Sequence, residues 1–285
     1  NLNIIIMKKL LLFVCASLMI VQASAQSINE SKNIVTSYED RSINLGGSMT
    51  LSDGRTVSQP AIYFIDKGES YEAVRLSVVP PQSIDKWKPY LQSPSATSIV
   101  ISWKDETVET PEIQFGTSDT NLDKKATGSK SQLSDKTATY NLNKVELTGL
   151  DPDTKYYYEV AGSEEVYSFK TQPAIGNKDH YRILLLGDHH RIDYSSYEWL
   201  IAAAKETVQK KYGAPLEEKI NLVMNIGDQV DRAWLDQYER NHFYKSSYFS
   251  TGIPTMTAVG NHDVYEDADL KKWNTIFSYE NLSYQ

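Results

Sequence analysis

The chain has 285 residues, 40% of them hydrophobic and 11% aromatic, which is enough apolar material for two packed domains and excludes a disordered chain. Its formal charge of -8, with both signs interspersed along the sequence, excludes the basic surface that stable nucleic-acid binding needs. An anionic substrate is not excluded, because a bound metal ion dominates its own surroundings whatever the net charge.

The first residues read as an export signal. Lys8 and Lys9 precede the apolar run Leu10 to Val21, and Ala23-Ser24-Ala25 stands ahead of Gln26. The run is shorter than the roughly 20 residues of a spanning helix, so residues 1–25 are expected to be leader and signal peptide, cleaved after Ala25. The mature protein is then secreted or periplasmic, with no membrane span. Cys15 is the only cysteine, so the mature chain has no thiolate and any metal must be held by oxygen and nitrogen.

Residues 26–88 are polar with scattered β-type stretches such as Ala61 to Ile65, and Asn44-Leu45-Gly46-Gly47 and Ser52-Asp53-Gly54 supply turns. A small β-rich region is expected there. From 89 to 171 the apolar period is close to two. Ile99, Ile101 and Trp103 share one strand face, Ile113 and Phe115 a second, Val145 and Leu147 a third, and Tyr156, Tyr158 and Val160 a fourth. This pattern predicts an all-β sandwich. Residues 172–179, with Pro173, Gly176 and Asn177, read as a linker.

After the linker, short apolar strands alternate with helical patterns. Strands are predicted at Arg182–Leu186, Ile220–Ile226 and Ile253–Val259. A helix opens on the capping box Ser195 to Glu198 and runs to Gly213 with Leu200, Ile201, Ala204 and Val208 on one face, and a second helix covers Trp234–Phe249. Such alternation indicates a parallel sheet with covered faces, here in residues 180–285.

Each of the three strands ends alike, in Gly187-Asp188, Gly227-Asp228 and Gly260-Asn261. Parallel strand ends lie along one edge, where ligands bind, and glycine permits the tight turn that aims the next side chain there. Asp188-His189-His190 sets a carboxylate and an imidazole two apart, within reach of one ion. Asp228 can bridge two ions, and Asn261-His262-Asp263 adds an amide ligand and a proton-donating imidazole. Two ions about 4 Å apart would activate water and stabilise both ends of an in-line phosphoryl displacement.

In this order, G-D-H-H, G-D-Q-V-D-R and G-N-H-D resemble the calcineurin-like metallophosphoesterase superfamily. The run Leu147 to Tyr158 is similar to the tyrosine corner of fibronectin type III domains, and the sandwich resembles the N-terminal domain of purple acid phosphatases. The resemblance implies a fibronectin type III-like sandwich followed by half of an αββα metallophosphoesterase domain. It implies Asp188 and His190 on one metal, Asp228 as bridge, Asn261 on the other metal, and His262 as proton donor or transition-state contact. The metals implied are two divalent or trivalent ions of iron, manganese or zinc. The implied reaction is hydrolysis of a phosphorylated small molecule, a monoester first and a diester or nucleotide second.

Two departures qualify the match. Purple acid phosphatases carry a tyrosine where this sequence has Asp231, so the protein should not be purple. Gly227 to Arg232 instead resembles the G-D-x-V-D-R segment of protein serine/threonine phosphatases, which implies Asp231 as the residue that orients His262 and Arg232 as a phosphate clamp. The superfamily also draws further histidines from downstream, whereas the five here are His180, His189, His190, His242 and His262. His242 falls in the predicted helix as a surface or packing residue. The second metal is therefore expected to be under-ligated, the chain to stop short of the complete domain, and this length to be inactive or to bind metal weakly. Asp188-His189-His190 is also similar to the DHH phosphoesterases, which lack the later G-N-H-D. A sandwich-type binding protein with a vestigial catalytic half is the alternative of another class.

Overall fold

The computed structural model describes residues 33–35, 48–50, 56–58, 62–66, 71–75, 87–190 and 195–279. The export signal, the turns at 44–47 and 52–54, and the side chains of Ser195, Ser196, Glu198 and Leu200 lie outside the described residues. The chain falls into two compact units, residues 6–82 with 193–215 and residues 83–192 with 216–285.

In the first unit, β1 (Asn33–Val35), β5 (Tyr71–Arg75) and β4 (Ile62–Asp66) form an antiparallel sheet, while β2 (Ser48–Thr50) and β3 (Thr56–Ser58) pair as a hairpin. The strand read at Ala61 to Ile65 is β4, displaced by one residue. The helix Ser195–Tyr212 buries Ile201, Ala204 and Val208 at helical spacing. It stops at Gly213, whose φ of +68° and N–H bond to the Gln209 carbonyl close the last turn as a left-handed cap.

In the second unit, the alternating run folds as expected into two four-stranded antiparallel sheets. One has the order β10 (Ser129–Ser134), β11 (Thr139–Thr148), β7 (Ser98–Lys104), β6 (Tyr90–Gln92). The other has the order β13 (Tyr167–Lys170), β12 (Lys155–Val160), β8 (Glu112–Gly116), β9 (Lys124–Thr127). The four predicted faces meet between the sheets: Ile99, Ile101, Trp103, Ile113, Phe115, Val145, Leu147, Tyr156, Tyr158 and Val160 are all buried in one cluster. The corner is present too, since the Tyr156 hydroxyl accepts a 3.0 Å hydrogen bond from the Asp151 N–H.

Three parallel strands follow, β14 (Ile183–Leu186), β15 (Leu222–Asn225) and β16 (Thr255–Thr257), in that spatial order. Each is shorter than its apolar run. Ile220 closes the helical turn Leu216–Lys219, its N–H bonding to the Leu216 carbonyl, while beyond Thr257 the Ala258 N–H still bonds to the Asn225 carbonyl of β15 at 2.7 Å. The second predicted helix begins at Leu235–Gln237, widens into a π-helical stretch at Tyr238–Phe243 and returns to α-helix at Tyr244–Ser246. The helix Lys271–Phe277 was not foreseen. Among the described residues no helix is long and apolar enough to cross a membrane.

The sandwich and the parallel sheet are not beads on a linker. Thr171 and Gln172 are buried, and the Gln172 side chain donates to the Asn221 carbonyl at 3.0 Å. One apolar cluster draws Trp87, Tyr90, Leu133, Tyr140 and Leu142 from the sandwich together with Val230, Leu235, Tyr238, Phe243, Trp273 and Phe277. Trp87 stacks on Phe243 at 3.9 Å between ring centroids. Polar ties ring this cluster: the Tyr90 hydroxyl donates to the Ile276 carbonyl at 2.6 Å, and the Lys104 ammonium on β7 donates to Glu239 at 2.5 Å.

Tyr156→Phe removes one acceptor and keeps the ring, so urea unfolding should show a loss of about 1 kcal/mol at unchanged m-value, and an unchanged midpoint would contradict the role assigned to the hydroxyl.

Candidate metal centre

The three strands deliver their turns to one sheet edge, and the backbone there is distorted in the same way twice. Asp188 and Asp228 both take positive φ, +56° and +53°. This conformation costs a non-glycine residue on the order of 1 kcal/mol and persists where the surroundings enforce it. Gly227 takes φ +107°, and a Cβ there would stand 3.0 Å from the Gly260 backbone. A methyl group on Gly260 would overlap the carboxylate and amide of Asp228. These glycines are required for two loops to touch, a stronger constraint than the tight turn read from sequence.

Hydrogen bonds tie the turns in series. The Asp188 N–H donates to the Gly227 carbonyl at 3.0 Å, and the His262 N–H donates to the Asp228 carboxylate at 2.9 Å. Between them lies Asp263, fully buried. Its carboxylate accepts from the N–H groups of Asp228 and Gln229, both at 2.9 Å, and of Gly260 at 2.8 Å. Burial pushes the Asp263 carboxyl up to about 6, against the pull of those three donors, and the neighbouring Asp228 charge pushes the same way as burial.

The side chains that this frame presents are half-buried. Donor atoms of His190, Asp228 and His262 all lie within 4.8 Å of one another. His190 Nε2 sits 3.0 Å from the Asp188 carboxylate, and its Nδ1 is buried without a hydrogen-bond partner among the described residues. The His190 and His262 rings stack at 3.9 Å. Asp231 approaches both, its carboxylate 3.3 Å from His262 Nδ1 and 3.7 Å from His190 Nδ1, while its backbone oxygen accepts from His262 Nδ1 at 3.0 Å. A backbone oxygen can only accept, so Nδ1 of His262 carries the proton and Nε2 is left for a ligand. Two imidazoles, one unpartnered nitrogen and a carboxylate suit a borderline metal ion such as zinc, manganese or iron.

The other expected site residues stand further out. Asn261 is exposed on the turn between Gly260 and His262. Arg232 pairs with Glu266 at 3.0 Å and lies over the Trp234 ring at 5.5 Å. His242 is a packing residue rather than a surface one, buried in the π-helical stretch with its Nδ1 3.1 Å from Nε2 of His189. The middle histidine of Asp188-His189-His190 thus points into the core while its neighbours face the site. Burial pushes His242 down to about 3 and holds His189 well below the usual imidazole range, the latter with help from His242 and His190.

Sequence reasoning assigned nothing to Asp263 or Gln229. Gln229 is fully buried, donating to the Ala258 carbonyl and accepting from the Trp273 indole at 3.4 Å, and buried Val230 joins the shared core. The segment Asp228-Gln229-Val230-Asp231 therefore shows its carboxylates to the site and its middle pair to the interior. Only the adjacency of Asp263 to His262 could have hinted at its part.

The sandwich is packed on a parallel sheet whose strand ends gather carboxylates and imidazoles, a donor set that could hold a metal ion. Residues 86–171 match the family of the purple acid phosphatase N-terminal domain, and residues 181–284 match the calcineurin-like phosphoesterases. The chain therefore carries a purple acid phosphatase N-terminal domain followed by a calcineurin-like phosphoesterase domain. Among solved structures, it is similar to the purple acid phosphatase PPD1 from yellow lupin (Lupinus luteus) seeds, at 19% identity and a TM-score of 0.48 over 70% of this chain and 40% of that one. It is also similar to PhoD, at 16% identity and a TM-score of 0.41 over 67% of this chain and 41% of that one. The chain thus spans about two fifths of each. No curated protein gives a significant match.

Asp263→Ala strands three N–H donors and should cost about 2–4 kcal/mol in chemical unfolding, and a loss below 0.5 kcal/mol would contradict the bridging role. His242 stays neutral in the folded state down to about 3, whereas the unfolded chain takes up its proton near 6.5. Its contribution is complete above pH 6.5 and is lost as pH falls towards 3. Stability should drop by roughly 1.4 kcal/mol per pH unit through that window on its account. Unfolding of His242→Phe between pH 7 and 5 should show a shallower slope, and parallel profiles would contradict it.

Proposed function

We propose that the protein hydrolyses phosphate esters, monoesters foremost, with a metal centre seated on the three strand-end turns. The observation that carries this reading is the convergence of His190, Asp228 and His262 donor atoms within 4.8 Å on loops fixed by backbone hydrogen bonds. Two ions of iron, manganese or zinc bound there would supply Lewis acidity and a water ionised near neutral pH.

In this reading Asp188 and His190 would hold one ion, Asp228 would contribute to both, and Asn261 would serve the other. His262 is held at Nδ1 by the Asp231 backbone, so its Nε2 faces the substrate and gives a proton to the leaving alkoxide. The Asp231 carboxylate at 3.3 Å offsets the charge of the doubly protonated ring. Arg232 binds the substrate phosphate by exchanging Glu266 for it, an exchange between carboxylate and phosphate that a guanidinium makes readily. Without a tyrosine at Asp231 an iron-loaded protein lacks the phenolate that colours purple acid phosphatases. The export signal read from the sequence at 1–25 supports an activity outside the cytoplasm.

The full-length protein, loaded separately with each of the three metals, should release p-nitrophenol from p-nitrophenyl phosphate faster than from the bis-ester. Asp228→Asn should lower that rate at least about 100-fold. Absence of turnover with every metal in protein that binds them would instead favour a binding protein with a vestigial catalytic half.

A further inference from the structure

The loop from Gly227 to Leu235 carries Asp228, Asp231 and Arg232, and it is held at both ends. Asp263 grips its start. Its far end enters the helix at Leu235, where Trp234 stands at the capping position and offers no side-chain acceptor. The missing cap comes from the β-sandwich. In the turn between β10 and β11, the Asp135 carboxylate accepts from the Leu235 N–H at 2.9 Å, and the Thr137 hydroxyl accepts from the Asp236 N–H at 3.3 Å. A carboxylate at a helix start satisfies an orphan donor and favours the helix dipole as well.

The same carboxylate is 3.3 Å from the Lys272 ammonium, which also donates to the Ala233 carbonyl. Both side chains are largely buried, 13% and 14% exposed, so the pair is shielded from solvent more than a surface ion pair is. The Lys136 ammonium lies 4.2 Å from the Trp234 ring centroid. The Ala233 N–H bonds to the Tyr265 carbonyl at 2.8 Å, and the Tyr265 ring packs on His262. Asp135 therefore fixes the loop on the far side of Asp231, whose carboxylate and backbone oxygen together set His262 and approach His190.

We infer that Asp135 of the β-sandwich is a positioning residue for the metal centre, acting through Leu235 and Lys272 to hold the loop that bears Asp228, Asp231 and Arg232. The sandwich then serves as a working part of the phosphoesterase site and not as a spacer. This inference rests on the metal-site reading above.

The test compares the full chain with Asp135→Ala, Asp135→Asn and, as a control, Leu147→Ala, which removes apolar volume from the sandwich core and leaves the loop untouched. Mn2+ affinity is measured at a temperature where all four are folded, alongside hydrogen exchange of the Ala233 and Leu235 amides in metal-free protein. Asp135→Ala should weaken Mn2+ binding about tenfold and speed exchange at both amides. Asp135→Asn, which keeps an acceptor oxygen for Leu235 and loses the ion pair, should fall between, and Leu147→Ala should lower stability while leaving both readouts unchanged. Parental Mn2+ affinity in folded Asp135→Ala, or an equal loss in Leu147→Ala, overturns the inference and leaves the metal-site reading standing. A parent that binds no Mn2+, or binds it undiminished in Asp228→Asn, overturns both.

Discussion

The buried carboxylate of Asp263 is the constraint on which the site depends. Two turns leave different parallel strands and must come within van der Waals contact at Gly227 and Gly260. Their backbone N–H groups then face inward, away from water, and need an acceptor. Asp263 takes three of them at 2.8 to 2.9 Å. With the turns locked, Asp228 is held at positive φ, its carboxylate caps the His262 N–H, and the ring of His262 is brought over His190. Burial, and to a lesser degree charge repulsion from Asp228, act against the ionised Asp263, and a cation bound at the site would relieve the repulsion.

A second level of support comes from outside the sheet. The π-helical stretch buries His242 against His189, so one residue of the Asp188 to His190 turn anchors the loop from inside. Such a local widening places Tyr238, Asn241, His242 and Phe243 all in the interior, which a regular helical face would spread further around the axis. The aromatic seam from Trp87 and Tyr90 to Phe243 and Phe277 then joins this helix to the sandwich. The metal loops are backed by one continuous core that contains residues of both sequence families.

Much of this was legible in the sequence because periodicity and turn chemistry are local. The two-residue period placed ten side chains in the sandwich core, and Leu147 to Tyr158 announced a corner whose hydrogen bond is present. The three Gly-Asp and Gly-Asn pairs pointed to the edge where His190, Asp228 and His262 meet. What escaped were features set by tertiary contact. The middle parallel strand starts later than its apolar run because Ile220 is claimed by a helical turn. His242 looked equally suited to surface or core until His189 was set beside it, and the cap on Leu235 comes from Asp135, one hundred residues upstream. No local pattern encodes a helix cap supplied by another domain.

The most direct test is crystallographic. Anomalous scattering from crystals of the protein loaded with zinc or manganese should place an ion bonded to His190 and Asp228 at the ends of β14 and β15. An ion bound elsewhere, with His190, Asp228 and His262 unligated at saturating metal, would contradict the assignment of these three turns as a metal centre.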